Sequence, residues 1–218
     1  MTIEQAKERY LIKSEKNGTN DGITVDNLRF CLIFNESQEK FMTLHLQNRG
    51  IDDVRYIQKF LVLDKKIPYT SKTQDKYNFK LPSDYFDLAD VRAKAKKENC
   101  EDTMYLFEIQ TENLSEILQD EFNKPSFEWR EAPYTVNSDM LSIYTDNFSI
   151  QTILLNYYRY PNQIRLIDEE NPESGFDESL PIEWDDKSLN DIISLMVANL
   201  DMNENNPRFQ TNIIRTQK

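Results

Sequence analysis

Met-Leu-Ser-Ile-Tyr (140–144) and Ile-Gln-Thr-Ile-Leu-Leu-Asn-Tyr-Tyr-Arg-Tyr-Pro (150–161) are the two runs of sequence that decide the fold. Both runs are rich in Ile, Leu and Tyr, which favour β-strands. The polar pair Asp146-Asn147 lies between them and is typical of a turn. We therefore predict that the two runs form the central hairpin of a β domain.

Further extended segments precede this predicted hairpin. Alternating or β-favouring residues predict strands at residues 77–81 and 103–110. Residues 85–95 also favour a strand through Phe86, Leu88 and Val91, although the composition of 89–97 fits a helix. A short helix is predicted at 114–118, capped by Thr111 or Asn113. Residues 127–136 are predicted to be an edge strand or an extended segment, because Pro125 and Pro133 lack the N–H that an internal strand donates.

Helical periodicity covers both ends of the chain. Apolar residues recur at steps of three and four in the ranges 2–16, 26–48, 52–59 and 188–200, and a last helix is predicted to begin at Pro207. Thr2 and Gln5 have capping-box spacing, and Asp26 can cap the second helix. Between the β region and the C-terminal helices, the acidic stretch 168–183 is predicted to be an exposed linker.

These elements predict an α+β protein in which N-terminal and C-terminal helices form a helical bundle with an inserted, mostly antiparallel β domain. We assign residues 1–66 and 185–218 to the helical domain. The β domain covers residues 67–184, with the acidic linker at its end.

Composition limits the classes of function. The chain has 218 residues and a net charge of −12, with only four glycines, so Gly-rich phosphate-binding loops are not expected. Residues 1–100 carry 18 Lys and Arg against 15 Asp and Glu, whereas residues 101–218 carry 8 against 23. The acidic second part is a poor surface for binding phosphate backbones. It could instead be a solvated surface, or one that complements a neighbouring subunit.

Two cysteines and the N-terminus bear on localisation. Cys31 and Cys100 are far apart and follow no spacing motif, which is typical of reduced thiols in a cytosol. The first residues are charged, so no signal peptide is expected, and no apolar run approaches the roughly 18 residues of a membrane span. We expect synthesis in a cytoplasm and no contact with membranes.

No catalytic or metal-binding constellation is predicted, and no cofactor is expected. His45 is the single histidine and lies among leucines, so a structural role is expected. Structural zinc needs several Cys and His residues at short spacing. The adjacent acids at 52–53, 168–170 and 185–186 could hold a hard cation but are expected to be solvated.

Two further clusters have both a structural and a functional interpretation. Lys94, Lys96 and Lys97 could contact nucleic acid, although acidic neighbours make the footprint weak. Three tyrosines at 157, 158 and 160 could stack on bases or sugars. Aromatic residues on a strand more often pack against neighbouring strands, and this is what we expect here.

Several phrases of the sequence carry a family resemblance. They are Phe-Lys-Leu-Pro-Ser-Asp-Tyr-Phe (79–86), Pro-Ser-Phe-Glu-Trp-Arg-Glu-Ala-Pro-Tyr (125–134), Leu-Ser-Ile-Tyr (141–144), Leu-Asn-Tyr-Tyr-Arg-Tyr-Pro (155–161), Asp-Ile-Ile-Ser-Leu-Met-Val-Ala-Asn-Leu (191–200) and Asn-Pro-Arg-Phe-Gln (206–210). With the order of elements, they make the chain resemble the head–tail connector or adaptor proteins, the neck ring proteins, of short-tailed bacteriophages, including the crAss-like group. The phrases hold packing and turn residues, not a catalytic signature.

The resemblance implies a structural protein of the virion neck or tail, assembled in the bacterial host cytoplasm. Such a protein forms a homo-oligomeric ring, usually a dodecamer, that joins the portal protein to other neck or tail proteins. The helices would form the ring body, and the β domain would project toward the tail. DNA would pass through its lumen without sequence-specific binding, and residues 209–218 would form an arm that reaches a neighbour or the portal. The alternative is a small non-catalytic binding or regulatory module with a β-sandwich-like ligand face. An enzyme is not expected.

Overall fold

A computed structural model describes residues 1–16, 25–48 and 51–203 of the chain. The helix predicted to begin at Pro207 and the predicted C-terminal arm lie outside these residues. The helices are α1 (Ile3–Lys16), α2 (Asn27–Asn48), α3 (Ile51–Ile57), α4 (Leu114–Gln119) and α5 (Asp186–Asn203). The strands are β1 (Leu61–Ile67), β2 (Ser71–Lys72), β3 (Lys76–Lys80), β4 (Tyr85–Lys97), β5 (Cys100–Glu108), β6 (Glu131–Asn137), β7 (Met140–Tyr144) and β8 (Ser149–Arg159).

The predicted α+β class is confirmed, with helices from both ends of the chain and a mostly antiparallel sheet between them. Contacts between Cα atoms divide the chain into two compact units. The helical unit contains Met1–Gln58 and the residues from Pro161 onward, and the β unit is Lys59–Tyr160.

Side-chain caps begin the long helices of the helical unit. Thr2 and Gln5 form the predicted capping box: Gln5 N donates to Thr2 Oγ1 at 3.2 Å, and Thr2 N donates to Gln5 Oε1 at 3.1 Å. Asp26 caps α2 as predicted, since its carboxylate accepts from Arg29 N at 2.6 Å. The carboxylate of Asp185 accepts from Ser188 N at 2.8 Å and caps α5. These caps satisfy N–H groups that have no partner within the helix.

The predicted apolar stripes form the core of the helical unit. Phe30 of α2 lies at its centre, with ring centroids of Tyr10, Phe34 and Phe176 at 5.8 to 5.9 Å. Side chains of α5 complete this core: Leu189, Ile192, Ile193, Met196 and Val197 are all buried. Lys13 of α1 donates to the carbonyl oxygen of Asn190 at 2.9 Å, and its partial burial lowers its pKa.

The segment between β8 and α5 is bound to α2. The side-chain amide of Asn35 donates to the carbonyl oxygen of Ile164 at 3.0 Å and accepts from Ile164 N at 3.0 Å. Gln38, which is 1% exposed, donates to Asn162 O and accepts from the indole N–H of Trp184. These contacts hold residues 162–164 and Trp184, which flank the predicted linker 168–183. The linker itself is mostly exposed, as predicted, except for Phe176, which is buried against Phe30.

The β unit is one eight-stranded sheet in the order β1-β8-β4-β5-β6-β7-β3-β2. All pairs are antiparallel except β5 with β6. Inward side chains from β1 and from every strand between β3 and β8 belong to a single buried cluster. One sheet can bury its own face in this way only by curling round on itself.

The predicted central hairpin is wrong, although both of its strands exist. β7 pairs with β3 and β6, whereas β8 pairs with β1 and β4. Asn147 does take a turn conformation, with a φ of 56°, but the chain crosses there to another part of the sheet. The hairpin partner of β7 is β6, connected through Ser138, whose φ of 55° suits a tight two-residue turn.

The edge position predicted for residues 127–136 is also wrong, because β6 lies inside the sheet. Its pairing is divided at Tyr134. Residues 131–134 align with β5 on one side, and residues 134–137 align with β7 on the other. Pro133 has no register partner on β7, so its missing N–H removes no bond from that ladder.

Two features near helix boundaries also differ from the predictions. Leu61 begins β1 after the helix predicted at 52–59, and the strand Leu61–Ile67 was not predicted. The short helix α4 was predicted correctly, but its cap was not. Asn113 occupies the N-cap position without making a side-chain cap hydrogen bond.

We predict that Gln38→Ala lowers the free energy of unfolding of the helical unit by about 2 kcal/mol, because it removes the hydrogen bonds that Gln38 makes with the buried Trp184 N–H and the half-buried Asn162 carbonyl. Urea unfolding followed by Trp184 fluorescence, in a Trp129→Phe background, measures this change. Gln163→Ala is the matched control. Gln163 is exposed and bonds only to Glu39 in the described contacts, so its loss is expected to cost less than about 0.5 kcal/mol.

Candidate assembly surface

The connection between β5 and β6, residues 109–130, joins the one parallel pair of strands in the β unit. Because these two strands are parallel, the chain must travel back along the sheet before it can begin β6. The connection, which we call the crossover, contains a 3₁₀ turn at Thr111–Asn113, helix α4 and a series of tight turns. Its composition is acidic, with five Asp and Glu residues and two Lys and Arg residues, a net charge of −3.

Local hydrogen bonds fix the turns of the crossover. The carboxylate of Asp120 accepts from Phe122 N at 3.0 Å and also bonds the Asn123 side chain. These bonds lower the pKa of Asp120. Further along, Ser126 and Glu131 exchange backbone hydrogen bonds of 2.9 and 3.1 Å and close the last turn. The crossover therefore has a defined backbone conformation.

The crossover is also attached to the rest of the β unit. The ring of Phe127 packs against the core, 6.1 Å from Phe148. Arg130 pairs with Asp102 at 2.8 Å, and Glu128 pairs with Lys97 at the end of β4. The hydrogen bond between Glu128 and Lys97 lowers the pKa of the glutamate and raises the pKa of the lysine.

Three aromatic side chains point from this anchored region into solvent. Phe122 is 92% exposed and Trp129 is 80% exposed, and both belong to the crossover. Tyr105 of β5 is 67% exposed, and its N–H donates to the carbonyl oxygen of Arg130, the residue after Trp129. We call these three residues the aromatic surface. Large rings exposed on an ordered backbone are typical of protein interaction sites.

Sequence patterns did not single out the aromatic surface. Phe122 and Trp129 each lie between polar or charged neighbours, at 121–123 and 128–130, which is a signal that could have indicated exposure. Phe127 has a similar setting and yet packs inward. The side-chain direction depends on the turns of the crossover.

The edge of the sheet at β1 has the opposite charge. Lys65 and Lys66 are exposed there, and Leu63 is 63% exposed beside a bulge in the pairing with β8. Asp64 takes a φ of 51° in this bulge, and its carboxylate pairs with Arg92 of β4 at 2.8 Å. A bulge and lysines are features that keep an edge strand from pairing with another strand.

His45 lies on α2 in a row of rings. Its ring centroid is 4.3 Å from that of Phe41 and 5.2 Å from that of Tyr56. Phe41 in turn contacts Trp184 at 5.3 Å. These contacts describe a packing role for the single histidine.

The lysine cluster of β4 is engaged with acidic partners. Lys96 lies 3.5 Å from Glu101, and Lys97 pairs with Glu128. Two of the three lysines are therefore neutralised locally, which weakens the nucleic-acid interpretation. The tyrosine cluster is divided: Tyr157 and Tyr158 are buried as predicted, whereas Tyr160 is 38% exposed and contacts Phe86 edge-on.

The acidic pairs have local structural roles where they are described. Asp185 caps α5, and the Asp168 carboxylate accepts from Glu170 N at 3.1 Å. The side chains of residues 52 and 53 lie outside the described part. In the part of the chain that the structure describes, no group of three or more His, Cys, Asp or Glu residues is arranged to hold a metal ion.

The two cysteines are free thiols in different settings. Cys31 is buried, and burial raises its pKa to about 11, so its thiol stays protonated at neutral pH. Cys100 is exposed at the start of β5. None of the helices in the described ranges is long and apolar enough to cross a membrane.

Comparison with known proteins adds no family assignment. No known family model matches the chain, and no curated protein matches it in sequence. The resemblance to neck ring proteins therefore stays a prediction that rests on the sequence phrases quoted above.

Two phenylalanines of the β unit should respond differently to truncation. We predict that Phe79→Ala, in the core at 0% exposure, lowers the free energy of unfolding by about 3–5 kcal/mol. Phe122→Ala, at 92% exposure, should change it by less than about 0.5 kcal/mol. Urea unfolding followed by circular dichroism measures both. A large loss for Phe122→Ala would mean that the ring stabilises the monomer and is not an interaction residue.

Proposed function

We propose that this chain is a structural protein of a phage virion neck. In this proposal it forms a homo-oligomeric ring that joins the portal protein to the tail and lets DNA pass. The observation that carries the proposal is the aromatic surface, with Phe122 and Trp129 held on an anchored crossover at 92% and 80% exposure. Tyr and Trp are enriched at protein interfaces and among the few hot-spot residues whose truncation costs about 2 kcal/mol or more of binding.

The charge of the chain supports the part of the proposal that concerns DNA. A net charge of −12 repels phosphate backbones, so DNA can move past such a ring without sticking to it. Lys96 and Lys97 of β4 support the same conclusion, because both are paired with acidic residues and offer little positive charge to a phosphate backbone. The ring form and a copy number near twelve come from the sequence resemblance.

The alternative proposal, a small ligand-binding module, has less support. A ligand face on the inward side of the sheet would need space, yet side chains such as Phe79, Leu141 and Tyr157 fill that side. A monomer that ignores the portal protein and binds a small molecule would nevertheless favour this alternative.

The test of the proposed function is assembly with the cognate portal protein. Mixed with the portal, the purified chain is expected to form ring particles in negative-stain images and a complex of about twelve copies by mass photometry, the number that the resemblance implies. A chain that stays monomeric with and without the portal would overturn the proposal.

We predict that Trp129→Ala weakens this assembly by about tenfold or more, because a desolvated tryptophan is a typical interface hot spot. Concentration-dependent mass photometry measures the change. Leu32→Ala is the matched control, since Leu32 is 62% exposed on α2 and its truncation should leave assembly unchanged. Equal effects of the two substitutions would contradict a specific role for Trp129.

A further inference from the structure

The crossover and the β1 edge lie on different sides of the β unit. In the order of the sheet, β5 and β6 are the two middle strands, and β1 and β2 are the two ends. Because the inward side chains of Ile67 on β1, Met104 on β5 and Ala132 on β6 belong to one core cluster, the middle of the curled sheet faces its ends across that core. The strands that the crossover joins, β5 and β6, therefore lie opposite β1 across the core.

The two sides carry opposite charge. Residues 59–80, which supply both end strands and β3, contain six lysines, two aspartates and no other charged residue, a net charge of +4. The crossover carries −3. One aspartate of the basic side, Asp64, is already paired with Arg92, so Lys65 and Lys66 dominate the exposed β1 edge.

Each side also exposes apolar surface. On the crossover side it is the aromatic surface. On the edge side it is Leu63, at 63% exposure, and Tyr69, at 47% exposure in the connection from β1 to β2. Lysine side chains can cover aromatic rings with their apolar stems and place their ammonium groups over the ring faces.

We propose that the crossover of one copy docks on the β1 edge of the next copy of this chain. Two crossovers cannot face each other, because both are acidic, and two β1 edges cannot, because both are basic. The complementary surfaces lie on opposite sides of one unit, so the contact is head-to-tail and repeats from copy to copy, which closes into a ring when the rotation allows it. The bulge at Leu63 and Asp64 disfavours strand addition, so side chains form the contact. This inference rests on the proposed ring function and names surfaces of the β unit that would build the ring, whereas the resemblance implies that the helices form the ring body.

A charge-exchange experiment tests this contact. The edge variant is Lys65→Glu with Lys66→Glu, and the crossover variant is Glu112→Lys with Glu121→Lys. All four side chains are exposed, so both variants should fold, which circular dichroism checks. For each variant alone, the affinity between copies in the ring should fall by about tenfold or more, because like charges then meet at every contact. Mass photometry with the portal protein present measures the loss.

A mixture of the two variants is the decisive measurement. In an equimolar mixture every contact can again join an acidic to a basic surface, so rings of alternating copies should form. Trp129, which is 80% exposed in the monomer, should also become protected from acrylamide quenching in these rings. Glu169→Lys with Glu170→Lys changes the net charge by the same amount as the crossover variant, but in the exposed 168–170 loop, and should leave assembly unchanged.

The outcomes separate this inference from the proposed function. If the unaltered chain forms rings but either variant assembles equally well, or the mixture fails to recover, the docking surfaces are wrong while the ring function stands. If the unaltered chain neither forms rings nor binds the portal, the proposed function and this inference both fail.

Discussion

The antiparallel pair of β4 and β8 is the interaction on which the β unit depends. Its register runs from Tyr85 opposite Arg159 to Lys96 opposite Ser149, and it is interrupted by three irregularities. Bulges of this kind bend a strand and increase its twist, which a single sheet needs in order to curl over its own inward face. The inward residues of β4 include Ala93 and Ala95, both at 0% exposure, and such small side chains allow the sheet to curve tightly there. Without this bend, the inward residues of the other strands would have no opposite face on which to pack.

The same curled sheet explains why the crossover exists. One parallel pair, β5 with β6, lies among antiparallel neighbours, and a parallel pair cannot be joined by a short turn. Residues 109–130 therefore lie outside the sheet, where a helix, several turns and two ion pairs fix the conformation of this segment. The connection that the strand order requires is therefore an ordered segment with a defined backbone. Phe127 in its last turn packs against the core, whereas Phe122 and Trp129 stay exposed and can contact another molecule.

Local signals in the sequence predicted local structure well. The capping box of Thr2 and Gln5 and the cap at Asp26 exist as predicted, because each depends on residues only three positions apart. The predicted hairpin failed for the opposite reason. The polar pair Asp146-Asn147 does mark a bend, but a bend fixes only where a strand ends and leaves its pairing partners undetermined. Those partners depend on the whole sheet, in which both sides of β7 are already occupied by β3 and β6.

The remaining differences follow from the same distinction. β1 was not predicted because Leu61 continues the helical spacing of the preceding residues, and only pairing with β8 makes this stretch a strand. The contacts of the segment after β8 were not predicted either. The acidic residues with Pro and Gly at 168–183 indicate only a solvated linker, and no local pattern shows that Asn35 and Gln38 of α2 bind the backbone of residues 162–164. The exposure of Trp129 depends on turns fixed by hydrogen bonds within the crossover.

A ring built from this chain must overcome its own charge. Copies that each carry −12 repel one another, and this repulsion acts between whole molecules. At physiological ionic strength, salt screens such repulsion beyond about 8 Å, while groups in direct contact are screened much less. Short-range contacts therefore decide whether copies associate. The aromatic surface lies beside acidic groups, and a lysine-rich edge lies elsewhere on the same unit. These two surfaces suit this condition, because each contributes binding free energy only when it contacts the other.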